Sequence, residues 1–244
     1  MFRREIKERV SESDLAHHLN HDPHKKASNL SDIILGGQDG LVNVLGVILG
    51  VAAATSDVKI VVAAGMAATF AESVSMAAVA YTSKRADQSY YEAEKEREQR
   101  HIEEIPDLER EEIREIYRKK GFDGELLDQI VNTITNQPDV WVAVMLAEEH
   151  NLKPLTKGEA VRSSFIVGLA AIIGSFIPLL PFLFLNIASA VITSLCISAL
   201  TLFVVGAYKA RTMVGSPGKS GLEMTLIGMA SALVGYGVGL IFKI

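Results

Sequence analysis

The stretch SSFIVGLAAIIGSFIPLLPFLFLNIASAVITSLCISALTLFVVGAY, residues 163–208, contains no charged side chain. A helix needs about 20 apolar residues to cross the ~30 Å hydrocarbon core of a bilayer. This run is therefore long enough for two spans with a turn near Asn186. Nearly uncharged runs also occupy residues 33–56, 58–71 and 224–242. The sequence predicts an all-α membrane protein that is embedded in lipid.

Five predicted spans divide the chain into four parts. The spans lie at about 32–55, 58–82, 162–185, 187–208 and 221–243. The parts are a leader at 1–31, spans 1 and 2 at 32–82, a helical insert at 83–161, and spans 3 to 5 at 162–243. Pro178 and Pro181 are expected to break or kink span 3.

The positive charges predict the orientation of these spans. If the N-terminus is cytosolic, 22 of the 24 Lys and Arg residues lie on the cytosolic side, and only Lys59 and Lys243 lie outside. This asymmetry is typical of the positive-inside rule. The N-terminus and the insert are then cytosolic, and the C-terminus lies on the far side. The membrane is the plasma membrane in a prokaryote or a vacuolar-type membrane in a eukaryote.

Composition argues against several other classes of protein. The net charge of −5 argues against a nucleic-acid partner, which needs clustered positive charge. The single cysteine, Cys196, excludes an intramolecular disulfide and a zinc site built on cysteine pairs. The first residues, MFRREIKERVSESD, are polar and do not resemble a cleavable signal peptide.

Pairs of glycines four residues apart predict close helix packing. The pairs are Gly36 with Gly40, Gly46 with Gly50, and Gly235 with Gly239. They fit either a dimer or conformational seam at span 1, or ordinary packing within one chain.

Two carboxylates are predicted inside the membrane, where charge is costly and is usually functional. Asp39 lies about two turns into span 1, and Glu72 lies in the middle of span 2. Each also has a structural interpretation. Asp39 precedes Gly40 and would fit a helix irregularity, and Glu72 would fit pairing with an internal polar group.

Helical spacing places other polar or sulfur-containing side chains on the same helix faces as Asp39 and Glu72. Asp32, Asp39 and Asn43 share one face of span 1, and Thr69, Glu72 and Met76 share one face of span 2. Counting from the helix ends puts Met76 at roughly the depth of Asp39. A carboxylate, an amide and a thioether around one cavity favour a borderline transition ion over Mg²⁺ or Ca²⁺, although a lone methionine is more often a packing residue.

The insert is predicted to be a small helical bundle. Span 2 continues as a helix from about Ser83 to Glu104, and helices follow near 107–120, 124–136 and 138–150, with breaks at Gly121, Gly124 and Pro138. Its predicted core consists of apolar residues at helical spacing: Ile113, Ile116, Leu126, Leu127, Ile130, Val131, Ile134, Trp141 and Met145.

Acidic residues are dense in the insert. The simplest interpretation is a solvated, salt-bridged surface, which fits Glu96 with Arg100 and Glu115 with Lys119. Glu94 and Glu98 instead face each other at i,i+4 with like charge, and a Glu-x-x-His motif with a glutamate from a facing helix binds iron or manganese in helical bundles. His150 also offers a ligand on the last helix. The predicted metal ligands are Glu94, Glu98, His101, Glu109, Glu112, Met145, Glu148 and Glu149.

Four histidines lie in the leader, in HHLNHDPH. These are His17, His18, His21 and His24. They are interpreted either as residues that collect metal near span 1 or as part of a disordered polar leader.

Four motifs in order resemble the vacuolar iron transporter family, which includes related yeast-type calcium/manganese vacuolar carriers. They are SDIILGGQDGL at 31–41, SMAAVAY at 75–81, the acidic segment from Glu98 to Gly121, and Met145-x-x-x-Glu149-x-x-Leu152-x-Pro154 ahead of FIPLLP. The resemblance covers about residues 28 to 243.

This resemblance implies a homodimer with a metal path between the two span-1 helices and proton/metal antiport out of the cytosol. It implies that Asp39 and Met76 line the path, that Asp32 is an acid on the cytosolic side, and that the insert binds metal. The glutamates matching the family's metal ligands are Glu98, Glu109, Glu112 and Glu149, with Met145 as the matching methionine.

Two positions depart from the family pattern. His101 stands where well-known members have a glutamate, and Ala68 stands where an acid often precedes the methionine. Glu72, one turn away on the same face, is the predicted replacement.

The sequence thus predicts an Fe²⁺ or Mn²⁺ transporter that needs no cofactor besides the transported ion. The alternatives are a membrane-anchored ferroxidase or iron store that uses the insert, and a metal-sensing receptor without transport.

Overall fold

The computed structural model describes residues 23–154, 156, 158–212 and 215–242. Within these ranges the chain forms eight α-helices and no strand. They are α1 (Pro23–Ala54), α2 (Val58–Glu104), α3 (Pro106–Lys119), α4 (Gly124–Thr135), α5 (Pro138–Glu148), α6 (Glu159–Phe184), α7 (Ile187–Thr212) and α8 (Pro217–Ile241). His17, His18 and His21 lie outside the described residues, and so does the side chain of His24.

Five of these helices are long and apolar enough to cross a membrane. They are α1 from Asn29 onward, α2, α6, α7 and α8. The predicted all-α membrane fold with five spans is therefore confirmed. The helix of span 2 also continues beyond the apolar run, as predicted, and α2 reaches 47 residues.

Polar caps explain the tight turns between successive spans. Oδ1 of Asp57 accepts a hydrogen bond of 2.8 Å from the backbone N–H of Lys59 at the start of α2. Oδ1 of Asn186 accepts one of 3.1 Å from the N–H of Ser189 at the start of α7. Such caps satisfy amide groups that the first turn of a helix leaves unpaired.

Span 3 is not broken by its prolines. Helix α6 continues through Pro178 and Pro181 to Phe184, so a break, one of the two predicted outcomes, is wrong, and a kink stays a prediction. Spanning helices tolerate proline in this way. The hydroxyl of Ser194 on α7 donates a hydrogen bond of 2.8 Å to the carbonyl oxygen of Pro178 and so ties α7 to α6.

The glycines at the start of α1 allow close contact with α6. A methyl group at Gly36 would overlap the carbonyl oxygen of Val167, and one at Gly40 would overlap that of Ala171. Glycine is therefore required here by the approach of two backbones.

The second glycine pair of α1 packs against the glycine pair of α8. Gly46 faces Gly235, and Gly50 faces Gly239, with no room for a Cβ at Gly235 or Gly239. Both motifs of α1 thus serve packing within one chain, which is the second of the two interpretations given for them.

The chain divides into two compact units, Tyr81–Val161 and the remainder. The membrane-spanning unit has a core cluster of Val44, Ile48, Val61, Leu179, Phe182 and Ala190. The unit Tyr81–Val161 has its own core cluster, with Ile116 and Ile130 partly buried against it. This cluster consists of Ile113, Leu127, Val131, Ile134, Trp141 and Met145. Leu126, which was predicted in that core, is 54% exposed, so its neighbour Leu127 alone fills that position.

Candidate functional site

Two acidic side chains meet inside the membrane-spanning unit. The carboxyl groups of Asp39 on α1 and Glu72 on α2 lie within hydrogen-bonding reach of each other, and both residues are half-buried. The Nδ2 atom of Asn43 donates a second hydrogen bond, of 3.3 Å, to Oδ2 of Asp39. Two carboxyl groups in contact require a proton or a cation between them, because two bare negative charges repel each other.

The other residues predicted for the path lie around this pair. Asp32 is half-buried seven residues before Asp39, and Met76 is half-buried four residues after Glu72. Glu72 is the α2 residue that reaches Asp39, so Met76 stands one turn away, about 6 Å along the helix axis. The hydroxyl of Thr69 donates to the carbonyl oxygen of Gly65 and so is used within its own helix.

The second candidate site lies in the unit Tyr81–Val161, where α2 and α3 meet at a one-residue turn. Residues before proline disfavour helical conformation, so α2 ends ahead of Ile105, which precedes Pro106. The turn brings α3 back toward α2. As a result Nδ1 of His101 lies 3.1 Å from Oε1 of Glu109.

The end of α5 supplies the third side of this site. Nε2 of His150 lies 2.9 Å from Oε1 of Glu98 on α2. Asn151 has a left-handed backbone (φ 54°), which asparagine tolerates. The N–H of Leu152 then donates to the carbonyl of Leu146 and so satisfies one of the carbonyls that the end of the helix leaves unpaired. This helix end holds Glu149 and His150 beside Glu98.

Five side chains form two groups with ligand spacing. Glu98, His101 and Glu109 make one, and Glu98, Glu149 and His150 make the other. Within each group the ligand atoms lie within 4.8 Å of one another. Glu98 belongs to both groups.

Burial makes these carboxylates costly without a cation. Glu98 and Glu109 are each 2% exposed. One oxygen of each pairs with a histidine, but the Oε2 atoms of both are buried without a hydrogen-bond partner. Buried polar atoms are normally satisfied, and buried charge is normally paired or bound to metal. The orphaned oxygens therefore point to a bound cation.

The pKa values follow the same crowding. Burial raises the pKa of Glu109 to about 7, and the charges of Glu112 and Glu98 add to the rise. Burial, with the charge of Glu112, also raises the pKa of Glu149. For His150, burial lowers the pKa, but the hydrogen bond to Glu98 and nearby negative charges outweigh it, so the net shift is upward.

The remaining predicted ligands have different surroundings. Glu112 is half-buried near Glu109 and Glu149. Met145 is fully buried in the apolar core of this unit. Their roles as ligands stay predictions.

Two predicted ligands have cationic partners instead. Glu94 is buried and lies 3.0 Å from Arg97. Glu148 is exposed and lies 2.5 Å from Nζ of Lys120. Neither belongs to the two groups found among the described residues.

His150 is the site residue that sequence reasoning undervalued. Its partner Glu98 lies 52 residues earlier, so no helical spacing connects them. The adjacent Glu149 drew attention because it matches a family motif. The one local signal was an imidazole directly after a run of acids at the end of a helix.

Known proteins resemble the chain over most of its length. Residues 30–240 match the VIT family. The chain is similar to vacuolar iron transporter 1 of Arabidopsis thaliana, with 32% identity over 203 residues, 82% of this chain and 81% of the relative. Vacuolar iron transporter 1 of Eucalyptus grandis is 30% identical over 89% of this chain and 90% of its own. The vacuolar iron transporter of Plasmodium falciparum is 27% identical over 93% of this chain and 86% of the relative.

Proposed function

Since the chain belongs to the VIT family, we propose that it transports Fe²⁺ or Mn²⁺ out of the cytosol across a membrane, in exchange for protons. Its relatives are named vacuolar iron transporters and match over most of their length. The observation that carries the proposal is the contact between Asp39 and Glu72 inside the membrane-spanning unit.

The pair suits an exchange because a proton and a metal ion compete for it. Carboxylates bind metal only when deprotonated, so metal binding releases protons and protonation releases metal. An ion that reaches Asp39 and Glu72 from the cytosol displaces the proton they share. Protons from the far side then restore the hydrogen bond and expel the ion. Met76, one turn along α2, provides a soft ligand for a borderline ion but a poor one for Mg²⁺ or Ca²⁺.

The insert captures the ion before it enters the membrane path. Its support is the pair of ligand groups with orphaned, buried carboxylate oxygens. Mixed carboxylate and imidazole ligands from several helices are how helical bundles bind iron and manganese. The charge asymmetry between loops supports a cytosolic insert and N-terminus.

The exposed polar face of α1 supports a homodimer through that helix. Asn43 is exposed in the single chain, although it lies in a spanning segment beside Asp39. An amide in lipid is costly unless a partner or water meets it. Leu35, 52% exposed, and Val47, 40% exposed, continue the same i,i+4 row. A second copy of α1 would cover this row and enclose the metal path.

Metal flux in proteoliposomes tests the proposal. We expect Fe²⁺ uptake by the wild-type protein and loss of uptake in Asp39→Asn and Glu72→Gln. Glu223→Gln, which changes an exposed carboxyl near the start of α8, is the matched control and should retain flux. Wild-type liposomes that take up no ion at any imposed pH gradient would overturn the proposal.

A membrane-anchored ferroxidase or iron store is the second candidate function. The Glu98, His101 and Glu109 group favours it, since carboxylate and histidine ligands also support iron redox chemistry. It predicts O₂ consumption when Fe²⁺ is added, unaffected by Asp39→Asn. Transport predicts flux without O₂ consumption.

A further inference from the structure

We infer that His150 is a direct metal ligand in a second ion position of the insert, which shares Glu98 with the first, and that its imidazole shifts the insert's preference from Mn²⁺ toward Zn²⁺ and Co²⁺. The inference rests on the proposed function only in that the insert binds metal. It does not depend on transport.

The two ligand groups have a geometry that suits two positions. His101 and Glu109 lie on one side, with their ligand atoms 3.1 Å apart. His150 contacts Glu98 at 2.9 Å, and Glu149 completes that group. A carboxylate has two oxygens and is able to serve one ion with each.

The buried orphan atoms give an independent reason for an ion here. Oε2 of Glu98 is buried and unpartnered, although Oε1 of the same carboxylate meets His150. The histidine therefore satisfies half of a side chain that is only 2% exposed. A cation held between His150 and Oε1 of Glu98 replaces the present hydrogen bond with two coordination bonds, and Oε2 of Glu98 is left to bind the ion of the first group.

The order of metal preference follows from ligand chemistry. Oxygen ligands suit Mn²⁺, whereas imidazole suits Zn²⁺ and the later first-row ions. An insert with carboxylates alone discriminates weakly against Mn²⁺. Two imidazoles, one in each group, raise the affinity for Zn²⁺ and Co²⁺ more than for Mn²⁺. His150 then sets the selectivity of the second position as His101 does that of the first.

A simpler role for His150 is that of a hydrogen-bond donor that only orients Glu98. Loss of an orienting partner weakens binding by ~10–100-fold for ligating groups generally, so affinity for one metal does not separate the two roles. The ratio of the affinities for two different metals does separate them. An orienting partner affects all ions alike, whereas a nitrogen ligand affects Zn²⁺ and Co²⁺ most.

The test uses the full-length protein in detergent. The four leader histidines are first replaced together (His17→Gln, His18→Gln, His21→Gln, His24→Gln), so that they add no metal. His150→Gln is then made in this background, because glutamine still donates a hydrogen bond to Glu98 but ligates metal poorly. Glu125→Gln, at an exposed carboxylate of α4, is the matched control. Zn²⁺, Co²⁺ and Mn²⁺ are titrated by calorimetry.

We expect His150→Gln to bind one fewer Co²⁺ per chain and to lower the Zn²⁺-to-Mn²⁺ affinity ratio at least tenfold, with both quantities unchanged in Glu125→Gln. An unchanged stoichiometry and ratio would overturn the inference. Failure of wild-type flux in proteoliposomes with these binding results intact would overturn the transport proposal alone.

X-ray absorption at the zinc edge supplies a second readout that needs no change at His150. In the leader-substituted protein loaded with two Zn²⁺, we expect imidazole scattering equivalent to about one histidine per zinc. His101→Gln should halve it. A spectrum with oxygen ligands only would contradict the assignment even if His150→Gln did not fold.

Discussion

Nδ1 of His101 lies 3.1 Å from Oε1 of Glu109 across the one-residue turn between α2 and α3. This contact joins two helices whose acids otherwise repel each other. Glu109 is almost fully buried, with Glu112, Glu98 and Glu149 as charged neighbours. The metal-free insert is therefore held together against its own charge, and the ion that we propose it binds would stabilise it.

Glu109→Gln should stabilise the metal-free protein and weaken metal binding. The substitution removes a buried charge that has like-charged neighbours, while the amide keeps the size of the side chain. The melting temperature should rise in chelator, and the further rise on adding Zn²⁺ or Fe²⁺ should be smaller than in the wild type. Glu125→Gln, at an exposed carboxylate of α4, serves as control. A lower melting temperature in chelator would contradict this account.

The metal-free protein should lose stability as the pH rises from 5 to 8. The pKa of Glu109 is raised to about 7 from 4.5, so its proton favours the folded state, and this contribution is complete below 4.5 and lost as the pH passes 7. The pKa of His150 is also raised. The stability that its proton contributes to the folded state is likewise lost as the pH rises through that raised pKa. Both act in the same direction.

Thermal melts in chelator at steps of pH measure this effect. Glu109→Gln should flatten the profile, and saturating metal should remove it, because bound metal replaces the protons. A stability that increases steadily from pH 5 to 8 in chelator would contradict the sign.

Ser194→Ala should destabilise the membrane-spanning unit modestly. It removes the hydrogen bond to the carbonyl of Pro178, and such bonds in membranes contribute about 0.6 kcal/mol on average. Ser198→Ala is the matched control, since the hydroxyl of Ser198 is buried without a partner. Unfolding in mixed micelles compares the two. A greater loss for Ser198→Ala would contradict the packing described for α6 and α7.

Gly239→Ala should be far more damaging than Gly237→Ala, two residues earlier on the same helix. A methyl group at Gly239 overlaps the backbone of Gly50, whereas one at Gly237 meets nothing within 4 Å. Alanine is the better helix former by about 1 kcal/mol, so Gly237→Ala should be neutral or stabilising. The yield of monodisperse protein and its melting temperature report the difference. Equal behaviour would mean that α1 and α8 do not pack through glycine.

Local signals in the sequence predicted the fold well. Charge-free runs marked five helices, and Asp57 and Asn186 stand at turns where their side chains cap the next helix. Pro178 and Pro181 suggested a break in span 3, but α6 runs through both of them to Phe184, because a spanning helix tolerates proline better than the helix of a soluble protein does.

The candidate sites were predicted only in part, because their contacts cross between helices. Spacing on one helix identified Glu98 with His101, but the contact of Glu98 with His150 depends on how α5 ends. In the membrane, Met76 was placed level with Asp39 by counting from the inner end of span 2. The inner end of span 2 is not a helix end, because α2 continues to Glu104. The α2 residue that contacts Asp39 is Glu72, one turn before Met76.

The exchange of a proton for a metal ion at Asp39 and Glu72 is the central claim, and the internal pH of proteoliposomes during metal uptake tests it most directly. With a pH dye inside, an Fe²⁺ or Mn²⁺ pulse should move protons in the direction opposite to the metal in wild-type protein and in Glu223→Gln. Asp39→Asn and Glu72→Gln should abolish both signals together. Metal uptake without proton movement, or undiminished in Asp39→Asn, would contradict the claim.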